Sequence, residues 1–494
     1  MTSSAATSPP VSPDTYQPDP RRWRALALCL VAGFMTLLDV SIVNVALPSI
    51  QTGLSATGSD LQWIVAGYAL AFGMALVPSG RLGDARSRRG VFALGVAVFT
   101  ISSAMCGAAP SALWLSLFRV LQGLGAGILS PQVSGFIQTL FRGRERGRAF
   151  GMFGATVGIS TAVGPLLGGL LVRLGGVEHG WRLVFYVNVP VGLAAIALVR
   201  TLLPAPPPVT ERRRQSLDPV GVLLFGAATV LVLLPLVEGS STSLASRPWW
   251  LLAVAAVLLA AFYGWERWWA ARPRATLIDL SLLRVRAYVL GVALGTVYFA
   301  GFTSIFLVLT LYLQSGLGYD ALLAGCATVP FAVGGALAAG IGGRLVERMG
   351  RLLVVIGLVT VVVGLVAVDV LVGRIEGAEG IKLALPLFVA GFGGGFVISP
   401  NVTLTLSVVD VQHAGSGGGM LQTAQRVGSA IGVAVVLTQF FTDLAQTRGD
   451  YSSALSSSLH TTIGFVLVAL VFGVIDLATG RAGRPGSGHT RRPA

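Results

Sequence analysis

Fourteen long apolar runs constrain this chain more than any other feature: 25–47, 62–80, 90–108, 112–132, 149–171, 183–201, 218–237, 249–268, 287–313, 321–342, 352–373, 383–404, 420–441 and 461–479. A bilayer core about 30 Å thick needs about 20 apolar residues per helix, and lipid offers no partner to an open N–H or C=O, so such runs read as membrane-spanning α-helices. Composition agrees, with 54% hydrophobic and 11% charged residues in 494, against roughly 25% charged in a soluble domain. Soluble enzyme folds are poor candidates.

The net charge of +14 raises the question of nucleic acid, but the basic residues sit in short clusters between apolar runs, which is how a polytopic membrane protein sets its orientation. Placing the N-terminus inside puts 27 of the 35 basic residues on the cytoplasmic side, among them Arg22, Arg81, Arg88, Arg89, Arg144 and Arg351. Six fall outside (Arg173, Arg182, Arg247, Arg374, Lys382 and Arg448), so both termini are expected to be cytoplasmic and no nucleic acid is expected as a partner. The cysteines Cys29, Cys106 and Cys326 lie in apolar runs and read as small packing residues.

One loop occurs nearly twice. Gly80-Arg81-Leu82-Gly83-Asp84-Ala85-Arg86-Ser87-Arg88 follows the second run, and Gly343-Arg344-Leu345-Val346-Glu347-Arg348-Met349-Gly350-Arg351 follows the tenth, an offset of 263 residues that also carries the first run onto the ninth. The expected fold is an all-α integral membrane protein of two six-helix bundles related by a pseudo-twofold repeat, with two inserted helices. The expected units are a disordered tail at 1–20, an N-terminal bundle at 21–201, a linker with the inserted pair at 202–286, a C-terminal bundle at 287–480 and a disordered tail at 481–494.

This arrangement resembles the major facilitator superfamily, and within it the fourteen-span drug:proton antiporter branch; the resemblance covers the chain from about Arg24 to Gly480. Gly80, Leu82, Asp84, Arg88 and Arg89 match the superfamily's loop signature, with Ala85 and Ser87 departing from it. The resemblance implies a cytoplasmic latch between the bundles. Asp84 is expected to face the positive N-terminal end of the thirteenth span, and Arg88 or Arg89 to pair with Glu145; the alternative is that the arginines only orient the chain.

Span four holds Arg119-Val120-Leu121-Gln122-Gly123, similar to another superfamily motif. An arginine in an apolar run costs about 2.5 to 3.5 kcal/mol by insertion scales, so Arg119 either snorkels or has a partner. Its expected partner is Asp39, which lies with Asn44, Ala46 and Pro48 in a stretch similar to the branch's first-helix motif. A buried carboxylate beside a cation is suited to loading and releasing a proton, the alternative being a permanent structural pair. In span five, Gly158, Gly164, Pro165, Gly168 and Gly169 resemble the antiporter motif, whose small residues let helices approach closely. Arg426 in span thirteen is expected to snorkel inward, and Asp369 is a minor candidate for a second proton site.

Phe34, Tyr68, Phe72, Gln122, Tyr298, Phe299, Phe302, Phe306, Phe392 and Phe396 are candidates for a central cavity that receives lipophilic cations on ring faces. ATP hydrolysis through a P-loop is excluded, since that motif needs Lys followed by Ser or Thr and the one lysine, Lys382, precedes Leu383. No D-x-x-D, H-E-x-x-H or C-x-x-C pattern points to a metal site or a lipid enzyme, so no cofactor and no metal are expected. The expectation is a monomeric bacterial inner-membrane exporter that exchanges drug-like molecules for protons; a dedicated exporter of one metabolite is the alternative.

Overall fold

A computed structural model describes residues 19–205, 218–237, 248–272, 276–372 and 379–482. The chain folds into α1 (Arg22–Leu54), α2 (Gly58–Leu82), α3 (Arg88–Gly107), α4 (Ala112–Leu140), α5 (Gly143–Tyr186), α6 (Asn188–Leu202), α7 (Pro219–Val237), α8 (Trp250–Ala270), α9 (Arg286–Leu311), α10 (Ala321–Met349), α11 (Arg351–Leu371), a short α12 (Glu379–Lys382), α13 (Ala384–Leu406), α14 (Ala414–Gln446) and α15 (Tyr451–Ala482). No strand occurs among the described residues. Thirteen described stretches are long and apolar enough to cross a membrane, and one of them, Gly58–Gly107, is 50 residues long and holds both α2 and α3, joined by a π-turn at Gly83–Ser87. The expected disorder of the tails falls largely on 1–18 and 483–494, outside the described residues, as do Arg212, Arg213, Arg214, Arg247, Arg274 and Arg374.

Several helices outrun their apolar cores. α1 continues through Pro48 to Leu54, and α14 starts at Ala414, well before the apolar run at 420. α5 passes Gly176, whose φ of 76° breaks the helix and lets the chain turn toward α6. Cys326 is exposed, not packed as expected, whereas Cys29 and Cys106 are buried.

α1 packs on α4, α5 and α6, and α4 on α2 and α3; α9 packs on α14 and α15, and α13 on α10 and α11. The two sets of helices meet along two seams, α2 against α14 and α5 against α10. α7 and α8 pair with each other, and α7 lies against both α2 and α14.

Candidate functional site

The helical period sorts α1 into two faces. Thr36, Val40, Asn44 and Pro48, spaced by four, line a cavity of about 1440 Å³. Met35, Asp39, Ile42, Ala46 and Ile50 turn the other way and are buried among neighbouring helices. Asp39 therefore faces neither lipid nor the cavity: it is 0% exposed, inside the N-terminal set of helices.

There Asp39 is surrounded by donors. Arg119 Nη1 lies 2.5 Å from Asp39 Oδ2, Gln122 Nε2 donates to Oδ1 at 2.8 Å and Asn188 Nδ2 donates to the same oxygen at 3.1 Å. Arg119 and Gln122, three apart on α4, share a face, and Arg119 Nη1 also donates to Gln122 Oε1 at 2.9 Å, while its Nε donates to the Ile64 carbonyl at 3.1 Å. The guanidinium stands 4.1 Å from the centroid of the Tyr68 ring. Gly123 permits that approach, since a Cβ there would fall on the Tyr68 backbone, 2.9 Å from its Cα. Asn188 also donates to Ser103 Oγ at 3.1 Å. Sequence reasoning named Asp39 and Arg119 and missed Asn188 and Ser103, although a buried amide in an apolar run was a readable signal.

The cavity lies between the two sets of helices. Its walls come from α1, α2, α4, α5 and α7 on one side and α9, α10, α13 and α14 on the other. It extends to the helix ends near Gly58, Gln62, Gln314 and Gln446. At the opposite end its floor is tied by Ser130 Oγ donating to Gln422 Oε1 at 2.6 Å and Gln422 Nε2 donating to Ser134 Oγ at 3.0 Å. Of the expected wall residues, Phe299, Phe302 and Phe306 line it, as does Pro165. Phe34, Tyr68, Phe72, Gln122, Tyr298, Phe392 and Phe396 do not. Tyr68 donates to the Thr36 carbonyl at 3.3 Å, Gln122 is committed to Asp39, Tyr298 is core at 2% exposure, and Phe392 meets Phe396 edge to face near Ala338. Arg426, twelve residues into α14 and about 18 Å from its start, lies on the cavity wall.

Beyond the floor the seams close. Asp84 accepts from the backbone N–H groups of Gly415 at 3.0 Å and Ser416 at 2.9 Å, both in the first turn of α14. Arg88 donates to Asp84 Oδ1 at 2.8 Å and to the Val411 carbonyl at 2.8 Å. A Cβ on Gly80 would strike the Gly415 backbone. The second loop copy repeats the arrangement: Gly343 meets Gly147 of α5, and Glu347 pairs with Arg144 at 3.1 Å. Glu145 does not pair with Arg88 or Arg89. It takes Arg22 at 2.9 Å, because Arg88 sits four residues from Asp84 and is used there, while Arg89 donates to the Leu203 carbonyl at 3.4 Å.

Gly164 abuts Ser41 and Gly168 abuts Ile42, so these two glycines seat α5 on α1; Gly158 of α5 faces Ala332 of α10, and Gly169, also in α5, is half-buried. Asp369 accepts from Ser456 Oγ at 2.6 Å and pairs with His460 at 3.0 Å, and Asp476 pairs with Arg351. Arg81, expected as an orienting charge, is 1% exposed beside α8. Among the described residues no group of three or more His, Cys, Asp or Glu stands close enough to hold a metal ion.

A helical bundle with a cavity between two repeated halves, closed at one end and open at the other, defines a multi-pass membrane transporter. The chain belongs to the Major Facilitator Superfamily, whose family model matches residues 29–433. It is 36% identical over 427 residues, 86% of this chain and 73% of the relative, to a probable actinorhodin transporter of Streptomyces coelicolor. It is 34% identical to the puromycin resistance protein pur8 of Streptomyces alboniger, covering 92% of this chain and 89% of that one. The crystal structure of the human organic anion transporter MFSD10 (TETRAN) superposes with a TM-score of 0.64 over 92% of this chain and 100% of that chain; at 14% identity this likeness shows the fold alone.

Proposed function

We propose that the chain is a bacterial cytoplasmic-membrane exporter that drives antibiotic-like, lipophilic molecules outward by admitting protons, in alternating access between halves at 21–201 and 287–480. Gly58–Gly107 counts as two crossings, giving fourteen, with both termini and the Asp84 seam in the cytoplasm and the cavity facing outward. The carrying observation is the buried Asp39 cluster on the face of α1 opposite the cavity wall. Cargo on Thr36, Val40 and Asn44 and a proton on Asp39 act on one helix from two sides. Protonation of Asp39 removes the countercharge of Arg119, so the pair and the position of α1 change together. Each charge moved through 100 mV supplies about 2.3 kcal/mol. Relatives named for single compounds, actinorhodin and puromycin, stand beside one named a multidrug resistance protein, and a resistance panel separates a narrow from a broad cargo range.

The test is gradient-driven uptake into inverted proteoliposomes. Asp39→Asn, and the charge-neutral double variant Asp39→Asn with Arg119→Gln, are expected to lose accumulation under a pH gradient while retaining downhill exchange. Accumulation equal to wild type in a folded variant refutes the assignment.

A further inference from the structure

Among the described residues the side chains lining the cavity include no Asp, Glu, Lys or His and a single charge, Arg426. Its guanidinium stands 4.3 Å from the centroid of the Phe72 ring, which offers a π face but no countercharge. Among the described residues no carboxylate reaches ion-pair distance of it. Asp39 is not available, being held by Arg119, Gln122 and Asn188 behind α1. An unpaired guanidinium within a membrane-spanning helix is expensive and is retained where it meets a ligand or pathway.

From this we infer that the cavity takes an amphipathic aromatic anion, with its acidic oxygens on Arg426 and its rings against Phe299, Phe302 and Phe306. The guanidinium presents its N–H donors as a planar fork that matches the two oxygens of a carboxylate. The rings on α9 are already clustered, with Phe299–Phe302 centroids 5.6 Å apart and Phe302–Phe306 5.4 Å apart. Neighbouring hydroxyls are engaged with each other: Thr303 and Ser429 lie 2.8 Å apart, bridging α9 and α14. That leaves Arg426 as the charged donor on the wall, beside the neutral amide of Gln425. The lipophilic cation anticipated from aromatic content alone would meet a positive wall with no carboxylate to receive it. The inference rests on the export reading and narrows its cargo to a charge class.

Three probes that share one ring system test it: 9-anthracenecarboxylate, 9-anthracenemethanol and the ammonium form of 9-(aminomethyl)anthracene. Binding to the full chain in nanodiscs is read by energy transfer from tryptophan, with empty nanodiscs subtracted. The carboxylate is expected to bind at least tenfold more tightly than the alcohol, and the ammonium most weakly. Arg426→Gln is expected to erase the tenfold preference and leave alcohol binding within twofold, whereas Arg426→Lys keeps the order with a smaller ratio. The inference is overturned if the ammonium binds most tightly, if the three bind alike, if none binds, or if the preference survives Arg426→Gln. Failure of export shows differently: a carboxylate preference that depends on Arg426, with no outward movement of any cargo under a pH gradient, removes proton-driven export and leaves the anion site standing.

Discussion

Replacing Asp84 by Asn removes a charge from the first turn of the 33-residue α14 while changing almost no volume. The Asp84 side chain is fully buried and gives one oxygen to the Gly415 N–H and the other to the Ser416 N–H. The amide keeps one acceptor and turns an NH2 toward a backbone donor, losing a hydrogen bond to a charged group worth about 1.5 to 3 kcal/mol. It also loses the attraction between a carboxylate and a helix N-terminus, about 0.3 to 1 kcal/mol. Together these weaken the closed seam by about 3 kcal/mol, or roughly 150-fold, so an ensemble 99% closed falls to about 40% closed. Electron-electron distance measurements between spin labels at the exposed positions Arg86 and Gln412, in a Cys326→Ser background, read this directly. Wild type should give one short distance, and Asp84→Asn a second, longer population of comparable weight. An unchanged distribution in folded Asp84→Asn protein refutes the view that this carboxylate holds the seam.

Glu145→Gln offers the contrast: its pair with Arg22 is 34% and 17% exposed, so thermal stability should change by under about 1 kcal/mol, checked by a melting curve in detergent. Gly343→Ala puts a Cβ against the backbone of Gly147 and Gly151 and should destabilise the closed α5–α10 seam by about 1 to 3 kcal/mol, read as faster labelling of a cysteine placed at Val346, which is buried in that seam. Phe302→Ala empties a position packed on Phe306 and Phe331; a stability loss of about 3 to 5 kcal/mol is expected, together with weaker binding of aromatic cargo by calorimetry.

The division of this chain into readable and unreadable parts follows the range of the forces involved. The apolar runs were legible because burial in lipid is decided locally, and the Asp39–Arg119 pair was legible because two opposite charges in apolar runs have few other solutions. The depth of Arg426 was not. Gly415, Gly417, Gly418 and Gly419 read as a loop by intrinsic propensity, yet they are helical in α14, where Gly415 meets Gly80 and Gly419 meets Leu76 at distances that exclude a Cβ. That early start places Arg426 six residues, about 9 Å, further from the helix start than the hydropathy pattern implied. The partner of Glu145 was equally hidden, since Arg22 is 123 residues away in sequence and the local pattern offered nearer arginines. The aromatic residues divided between wall and core by helix rotation, which composition does not encode.

The inserted pair has a consequence of its own. Leu233 and Leu236 of α7 form part of the cavity wall, and Gly73 of α2 is the close seat for Leu233. α7 is thus part of the enclosure: excising α7 and α8 would strip Leu233 and Leu236 from that wall and bare the Gly73 face of α2, so a shortened chain should leak in proportion to how fluid its lipids are.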